Sequence, residues 1–428
     1  MNRHQVYWND APERDPGNRS GGHQLTAKIV DGPLELPHSL RNLRIAIVHY
    51  WFLNGLGGER VTRILAGMFP QADVFTLLAN YNAMPSDLRA HRIKTSFLQC
   101  IPGAKKWHRH LLPLYPIALE QFDLSEYDLV ISAESGPAKG VITSPRTCHI
   151  CFCHSPMRYV WDMYHEYRGE PSLGLIGRAL FSLSAHYVRM WDIAAAARVD
   201  YFAAISNHVA SRIRKFYRRE ATVIHPPLKV DGAIVQSIGD YYLIVSRLVS
   251  YKRIELAIEA CNRLGRELHV IGDGEQGNNL RKLAGPTVKF FGFLPDDQVR
   301  EQFAHCRAFL FPGEEDLGAT PVEAQSFGRP VIAYARGGVL DTVNGLRQGE
   351  DVNSFHSGVF FDSQDASSIV DAILLFEKVE SQFCREAIRE RVLWFGEPRF
   401  RQEMYNYVEQ CYAEFVAAER SKDLAGVF

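Results

Sequence analysis

The chain has 428 residues, of which 46% are hydrophobic and 23% charged, so it is long enough for two globular domains. The formal net charge is −1, and no apolar run reaches the roughly 18 residues that a transmembrane helix needs, so neither a nucleic-acid partner nor a membrane span is expected. The charge is unevenly distributed: residues 1–230 carry 27 Lys and Arg against 19 Asp and Glu, and residues 231–428 carry 21 against 30. The basic half suits an anionic membrane surface or a phosphorylated lipid.

Residues 1–40 are polar and rich in Gly, Pro, Arg and Asp, and they lack the apolar stretch of a signal peptide. They are predicted to form a disordered tail, and the protein is expected in the cytoplasm, with reduced cysteines. Cys148, Cys151 and Cys153 precede His154, which raises the alternative of a zinc site. The run is typical of a buried strand whose neighbours point to opposite faces, and no second cysteine pair follows, so no metal site is expected.

The first α/β unit is predicted over residues 41–228. Apolar runs at 43–50, 127–132, 149–153 and 201–206 are typical of buried parallel strands, and helical patterns, the first at 61–68, separate them. A glycine loop follows the first strand, with Gly57 and Gly58 before Arg60. It allows close backbone approach to a ligand or is an ordinary tight turn, and Arg60 stands where a dinucleotide fingerprint needs its third glycine.

The second unit is predicted over residues 229–396, after a linker within 229–239. Its strands are expected at 241–246, 268–272, 288–292, 308–311 and 330–334. A long amphipathic helix at about 397–418 belongs to a last segment, 397–428, that is expected to pack back on the first domain. The fold class is therefore α/β, with two doubly wound Rossmann-like domains facing each other across a cleft that lies at the carboxyl ends of their strands.

The stretch from Glu315 to Glu323 allows two interpretations. Thr320 is a good N-cap, Pro321 suits the first position of a helix, and Gly318 permits close approach of a ligand. Free N–H groups at such a helix start suit phosphate, and nearby carboxylates suit sugar hydroxyls. Equally, Thr320 and Glu323 have the spacing of a capping box, a purely structural motif.

Three further groups lie at predicted strand ends. Ser246 and Arg247 end the first strand of the second unit, and Lys252 follows; a forked guanidinium and an ammonium suit a diphosphate, although a solvated basic turn is the alternative. His154 is placed to reach the cleft or to cap a turn. A flexible turn containing Gly272 and Gly274 suits a place beneath a nucleotide.

The order and spacing of these motifs resemble the retaining glycosyltransferases of family 4, which have the GT-B fold, over about residues 43–420. The resemblance rests on Ser246-Arg247-Leu248 with Lys252, the turn at 272–274, Phe291-Gly292-Phe293-Leu294, the pair Glu315 and Glu323, and Gly337-Gly338. The run 153–162 and the run 315–325 look like a bacterial subgroup that builds O-antigen and exopolysaccharide units. The chain departs from the wider family at Asp316-Leu317, where Gly-Phe is frequent.

By this resemblance Arg247 and Lys252 hold the donor diphosphate, Glu323 the ribose and Glu315 the transferred sugar. His154 lies near that sugar. The resemblance also assigns groups to donor binding (Ser246, Gly272, Gly274, Phe293, Leu294, Gly318, Ala319 and Thr320) and to the acceptor-side glycine loop (Gly57 and Gly58). The implied reaction is hexose transfer, with mannose from GDP-mannose as first choice, onto a polyprenyl-diphosphate-linked or glycan acceptor in surface polysaccharide biosynthesis. No cofactor or obligatory metal is implied.

Three alternatives accompany this interpretation: a UDP-sugar donor, a nucleotide-sugar epimerase on the same architecture, and a non-catalytic sugar-nucleotide-binding subunit. Residues 105–115 mix basic, aromatic and apolar side chains. They suit a contact with the inner face of a membrane, which would make the protein peripheral, or else a partly buried helix face.

Overall fold

A computed structural model describes residues 35–53, 57–170 and 173–425 of the chain. The tail predicted over residues 1–40 lies outside the described residues up to position 34. Of its last six residues, Leu40 is fully buried, and its carbonyl accepts a hydrogen bond from Gln71 Nε2. In the described part of the chain, no helix is both long and apolar enough to cross a membrane.

The first sheet is parallel throughout, with the strand order β3-β2-β1-β4-β5-β6-β7. Its strands are β1 (Ile45–Phe52), β2 (Asp73–Ala79), β3 (Ile93–Thr95), β4 (Leu129–Glu134), β5 (Cys148–Cys153), β6 (Tyr201–Ala204) and β7 (Thr222–Val223). The helices around it are α1 (Gly58–Met68), α2 (Ala104–Trp107), α3 (Tyr115–Glu120), α4 (Tyr164–Gly169), α5 (Gly174–Ala197) and α6 (Asn207–Tyr217). The strand order reverses between β1 and β4, which makes the carboxyl end of β1 a switch point where ligands bind in such sheets.

The second sheet repeats this design with the parallel order β10-β9-β8-β11-β12-β14-β13. Its strands are β8 (Tyr241–Val245), β9 (Glu267–Ile271), β10 (Val288–Gly292), β11 (Ala308–Phe311), β12 (Val331–Tyr334), β13 (Gly345–Leu346) and β14 (Gly358–Phe361). Its helices are α7 (Ile254–Leu264), α8 (Gly277–Leu283), α9 (Asp296–His305), α10 (Ala319–Ser326), α11 (Val339–Thr342), α12 (Ala366–Val379) and α13 (Arg385–Leu393). The switch point here is the carboxyl end of β8.

A final helix, α14 (Glu397–Ala425), returns to the first sheet. Phe400, Met404 and Val408 are fully buried in the core beside β5, and Tyr405 Oη donates a 2.7 Å hydrogen bond to the carbonyl of Met68 in α1. The second domain is thus followed by a helix whose apolar face completes the core of the first.

The nine strands expected from sequence are all present, with ends displaced by up to two residues. The strands β1 and β4 are displaced by two residues at both ends, since they cover 45–52 and 129–134 instead of 43–50 and 127–132. Strands β2, β3, β7, β13 and β14 were not predicted; three of these have only two or three residues. Such short edge pairings depend on the neighbouring strand more than on their own sequence.

Candidate functional site

The loop between β11 and α10 carries both glutamates singled out in the sequence. Helix α10 begins at Ala319, and Gly318 is its N-cap at φ 85°, without any side-chain cap. The expectations that Thr320 is the N-cap and Pro321 the first helical residue are therefore wrong. Gly318 adopts the left-handed backbone conformation, which glycine alone takes up without a steric penalty. The helix therefore starts earlier than predicted, and Thr320 is its second residue.

Glu323 is consequently not part of a capping box. No described residue forms a hydrogen bond or ion pair with its carboxylate, and the side chain is half-buried. This burial raises the pKa of Glu323, against the smaller opposing effects of Lys229 and Arg60. A half-buried carboxylate to which no described group donates can accept hydrogen bonds from the hydroxyl groups of a ligand. This favours the ligand interpretation over the capping box.

Glu315 has a defined partner in Lys252, whose ammonium forms an ion pair with its carboxylate. The two side chains are only 21% and 15% exposed, so both are held at the bottom of the loop. The backbone of Glu315 pairs with Gly337 as an isolated parallel bridge, and the N–H of Gly338 donates a 2.8 Å hydrogen bond to the Glu315 carbonyl. Two elements therefore determine where this carboxylate lies: the turn after β8 and the glycine pair after β12.

The turn after β8 is fitted to the turn after β9. A Cβ atom at Gly272, which has φ 122°, would overlap the carbonyl oxygen of Ser246, and one at Gly274 would lie 2.5 Å from the carbonyl oxygen of Leu248. Both glycines thus allow two strand ends to pack closely. Arg247 is exposed next to them, and no described residue bonds its guanidinium. The structure therefore leaves Arg247 available to solvent at the switch point of the second sheet.

The remaining donor-side residues differ in exposure. Phe293, after β10, is 86% exposed, whereas Leu294 packs against the hydrophobic core of the second domain. Ala319 is exposed and Thr320 half-buried at the start of α10, where the first N–H groups have no acceptor within the helix. The helix start therefore offers free N–H donors between Glu315 and Glu323, as expected from the sequence.

In the first domain the glycine loop and His154 lie together. A Cβ atom at Gly58 would lie 3.0 Å from Nδ1 of His154 and 3.6 Å from Cε1 of His49, so the start of α1 lies against both rings. Gly57 caps α1 with φ 57°. Among the described residues, Nε2 of His154 has no hydrogen-bond partner although it is buried, and burial lowers the pKa of His154 to about 3. This histidine is therefore neutral, and no described group forms a side-chain bond with it that would support the turn-capping alternative.

Sequence reasoning missed a set of contacts that join the two domains. Arg212 of α6 donates a 2.6 Å hydrogen bond to Asp316 Oδ1 of the second domain, and a second one to Ser155 Oγ of its own domain. Arg158 lies 3.6 Å from Asp316 Oδ2. Ser206 Oγ donates to the carbonyl of Asp316 at 2.5 Å. Asp316 is the residue at which the chain departs from its resembled family, and here it binds two arginines of the opposite domain.

A second interdomain contact surrounds Asp341 in α11. Its carboxylate accepts hydrogen bonds from the N–H of Asn207 at 2.7 Å and from Asn207 Nδ2 at 3.1 Å, and His225 Nε2 lies 3.1 Å away. One signal for this contact is visible in the sequence, because Asn207 directly follows the end of a predicted strand. Its partner Asp341 lies in a part of the sequence that no motif marks.

One cluster in the first sheet resembles a set of metal ligands. Glu134, Cys151 and Cys153 place one ligand atom each within 4.8 Å of one another. However, the ammonium of Lys139 already lies 3.0 Å from Glu134 Oε1, and burial raises the pKa of the Cys151 thiol well above its usual value. A metal ion needs thiolates and would displace that ammonium, so these residues do not fit a metal site.

Part of the second domain is similar in sequence to known proteins. Residues 238–391 match the family of glycosyl transferases group 1. Sulfoquinovosyl transferase SQD2 of Arabidopsis thaliana is 30% identical over 151 residues, which is 34% of this chain and 28% of that protein. Glycogen synthase of Xanthomonas campestris is 34% identical over 119 residues, 26% of this chain and 25% of that enzyme. The chain matches only about a quarter of the length of these curated relatives.

Solved structures match over most of the chain. The lipopolysaccharide outer core galactosyltransferase WaaB covers 86% of this chain and 99% of its own, with a TM-score of 0.59 and 16% identity. Sucrose-phosphate synthase from Thermosynechococcus elongatus covers 87% and 100%, with a TM-score of 0.61 and 18% identity. HepE of Anabaena in complex with UDP covers 86% and 100%, with a TM-score of 0.60 and 14% identity. The predicted fold, two Rossmann-like domains in the GT-B arrangement, is confirmed.

Proposed function

We propose that this protein is a retaining glycosyltransferase that moves a hexose from a nucleotide sugar onto a lipid-linked or oligosaccharide acceptor. The observation that carries the proposal is the arrangement at the second switch point: the Lys252–Glu315 ion pair and the unpartnered Glu323 flank the free N–H groups at the start of α10. A cation, an acceptor for hydroxyls and a helix start together suit a sugar diphosphate.

Each group has one task under this proposal. Arg247 and Lys252 bind the diphosphate, Glu323 accepts hydrogen bonds from the ribose hydroxyls, and Glu315 does the same for the transferred hexose. The N–H groups of Ala319 and Thr320 complete the phosphate site. Because Glu315 already pairs with Lys252, the sugar-binding and phosphate-binding groups support each other before the donor arrives.

The chemistry follows from the charges that develop. The bond between the anomeric carbon and the phosphate oxygen breaks, and its electron pair goes to the phosphate. The acceptor hydroxyl forms a bond with the anomeric carbon on the same face and gives its proton to the departing phosphate. Arg247, Lys252 and the start of α10 stabilise the negative charge on the leaving group.

His154 contributes as a neutral ring. A pKa of about 3 means that it carries no charge at working pH, so it is not a general acid here. Its unpartnered Nε2, held against the glycine loop, is suited to a hydrogen bond with a hydroxyl of the transferred sugar.

Two donors compete in this proposal. GDP-mannose is the first candidate because the motifs at 153–162 and 315–325 resemble mannosyltransferases of surface polysaccharide synthesis. A UDP-hexose is the second, favoured by the structural similarity to HepE, which was solved with UDP and with UDP-glucose. A thermal-shift panel of GDP-mannose, UDP-glucose and UDP-GlcNAc separates them, because the true donor raises Tm by mass action.

Transfer itself is tested with the preferred donor and a polyprenyl-diphosphate-linked acceptor. The variant Lys252→Ala is expected to lower kcat/KM by roughly 10²–10³, the usual loss for removing one group that stabilises transition-state charge. Lys289→Ala is the matched control, since Lys289 also forms an ion pair with a glutamate, Glu267, but on an exposed strand. Wild-type transfer by Lys252→Ala contradicts the site, and isomerised nucleotide sugar without transfer indicates an epimerase.

A further inference from the structure

Helix α5 carries an apolar face that no described residue covers. Leu183 is 70% exposed and Leu180 is 60% exposed. The exposed apolar side chains of the helix are Leu175, Ile176, Leu180, Leu183, Tyr187, Met190 and Ile193. Five of them, from Ile176 to Met190, are spaced alternately four and three residues apart, which places them on one side of the helix. We call these seven residues the outer face of α5.

The opposite side of the same helix already supplies the protein core. Ala185 and Val188 are fully buried in a cluster with Met157 and Val160, which follow His154 in the chain. Asp192, the one acidic residue of α5, is also fully buried and is bound by Lys139 and by other donors. Packing among the described residues therefore does not use the outer face, and no acidic residue of α5 interrupts it.

A basic and aromatic segment adjoins α5. Lys105 and Lys106 are exposed, and the next residue, Trp107, is 56% exposed. Leu112, a few residues further on, packs against the cluster that contains the inner face of α5. Residues 101–119 include no Asp or Glu. The basic and aromatic segment thus adjoins α5 through Leu112, and neither residues 105–110 nor the outer face of α5 include an acidic residue.

From this juxtaposition we propose that the outer face of α5 and residues 105–110 dock on an anionic phospholipid surface. Apolar side chains enter the interface, tryptophan lies at the headgroup level, and lysines attract anionic headgroups. Charge argues against a second copy of the chain as the occupant, because pairing would bring like-charged basic segments together. The inference rests on the proposed function, because a membrane surface would present the lipid-linked acceptor. The cluster beneath α5 contains Met157, which follows His154 by three residues.

The test is co-sedimentation of the full chain with vesicles, in the absence of any nucleotide sugar. Vesicles of phosphatidylcholine with an equal part of phosphatidylglycerol are expected to bind the protein, pure phosphatidylcholine much less, and added salt should weaken binding. The double variant Leu180→Glu/Leu183→Glu is expected to bind roughly 10–100-fold less. Because no donor is present, failure of transfer leaves this result unaffected.

The matched control is Leu283→Glu/Leu374→Glu, which places the same charges at leucines of the second domain that are 55% and 46% exposed. It should bind like the wild type. Lys105→Glu/Lys106→Glu should reduce binding without altering any apolar residue. Equal binding by all variants, or no binding to anionic vesicles, overturns the proposal. So does a dimer in light scattering that Leu180→Glu/Leu183→Glu dissociates, which would assign the face to a second copy.

Discussion

Replacing Gly337 with alanine should slow transfer by moving Glu315. Gly337 has φ 82°, and a Cβ atom there would lie 2.5 Å from the carbonyl oxygen and 3.1 Å from the nitrogen of Glu315. A distance of 2.5 Å from a Cβ atom is at least half an ångström shorter than the contacts that real Cβ atoms make. The atom in the way belongs to the backbone of Glu315, which cannot move aside as a flexible side chain could. The loop segment that carries Glu315 must therefore move away from Gly337, and this displaces the Lys252–Glu315 ion pair.

The magnitude follows from two separate effects. A non-glycine residue in the left-handed region costs about 1–2 kcal/mol of stability. A displacement approaching 1 Å at a group that positions the substrate lowers the rate by up to about 10²-fold. We therefore expect Gly337→Ala to remain folded, to lose about 1–3 kcal/mol of unfolding free energy and to lose roughly 10–100-fold in kcat.

Gly265→Ala is the control that separates these effects. Gly265 also has a left-handed backbone, with φ 65°, but a Cβ atom there meets no atom within 4 Å. It lies at the end of α7, at the opposite end of β9 from the cleft. The control should lose stability without losing kcat. The reasoning is refuted if Gly337→Ala, shown to be folded by circular dichroism, transfers as fast as Gly265→Ala.

Three further outcomes are expected. Glu323→Gln should raise Tm at alkaline pH, because the half-buried carboxylate has a raised pKa and costs stability when ionised, while weakening donor binding in titration calorimetry. Burial lowers the pKa of His49 to about 4 and of His149 and His154 to about 3, so these rings gain protons only on unfolding. Stability in urea is therefore complete above pH 6.5 and falls below it by about 1.4 kcal/mol per pH unit for each ring. Lys139→Met, which leaves two buried carboxylates without their cation, should cost about 3–5 kcal/mol in the same assay.

The parts that could be predicted from the sequence are those with strong local signals. Apolar runs of four or more residues marked the central strands of both sheets, because a buried parallel strand needs no polar alternation. Strand-end positions then placed Ser246, Arg247 and His154 on the cleft side. The spacing of Glu315 and Glu323 indicated a helix start between two carboxylates, although it did not show which residue begins the helix.

What the sequence did not show depends on contacts between distant segments. Helix α10 begins after Gly318, whose left-handed conformation is not marked by any pattern in the neighbouring sequence. The buried ammonium of Lys139 and the paired Asp192 are 53 residues apart, and no local pattern connects them. The outer face of α5 was not predicted either, because an apolar helix face looks the same in sequence whether or not a neighbour covers it.

The role of Asp316 links the arrangement of the domains to the donor site. Glu315 and Asp316 are neighbours in the loop between β11 and α10, and their side chains have different partners. Glu315 reaches Lys252 in its own domain, while Asp316 reaches Arg212 and Arg158 in the other. Any change in the angle between the domains acts on Asp316 and, through one peptide bond, on the carboxylate proposed to hold the sugar. Replacing the pair at 316–317 with the Gly-Phe of the resembled family would remove this coupling, so domain closure and sugar positioning would then become independent.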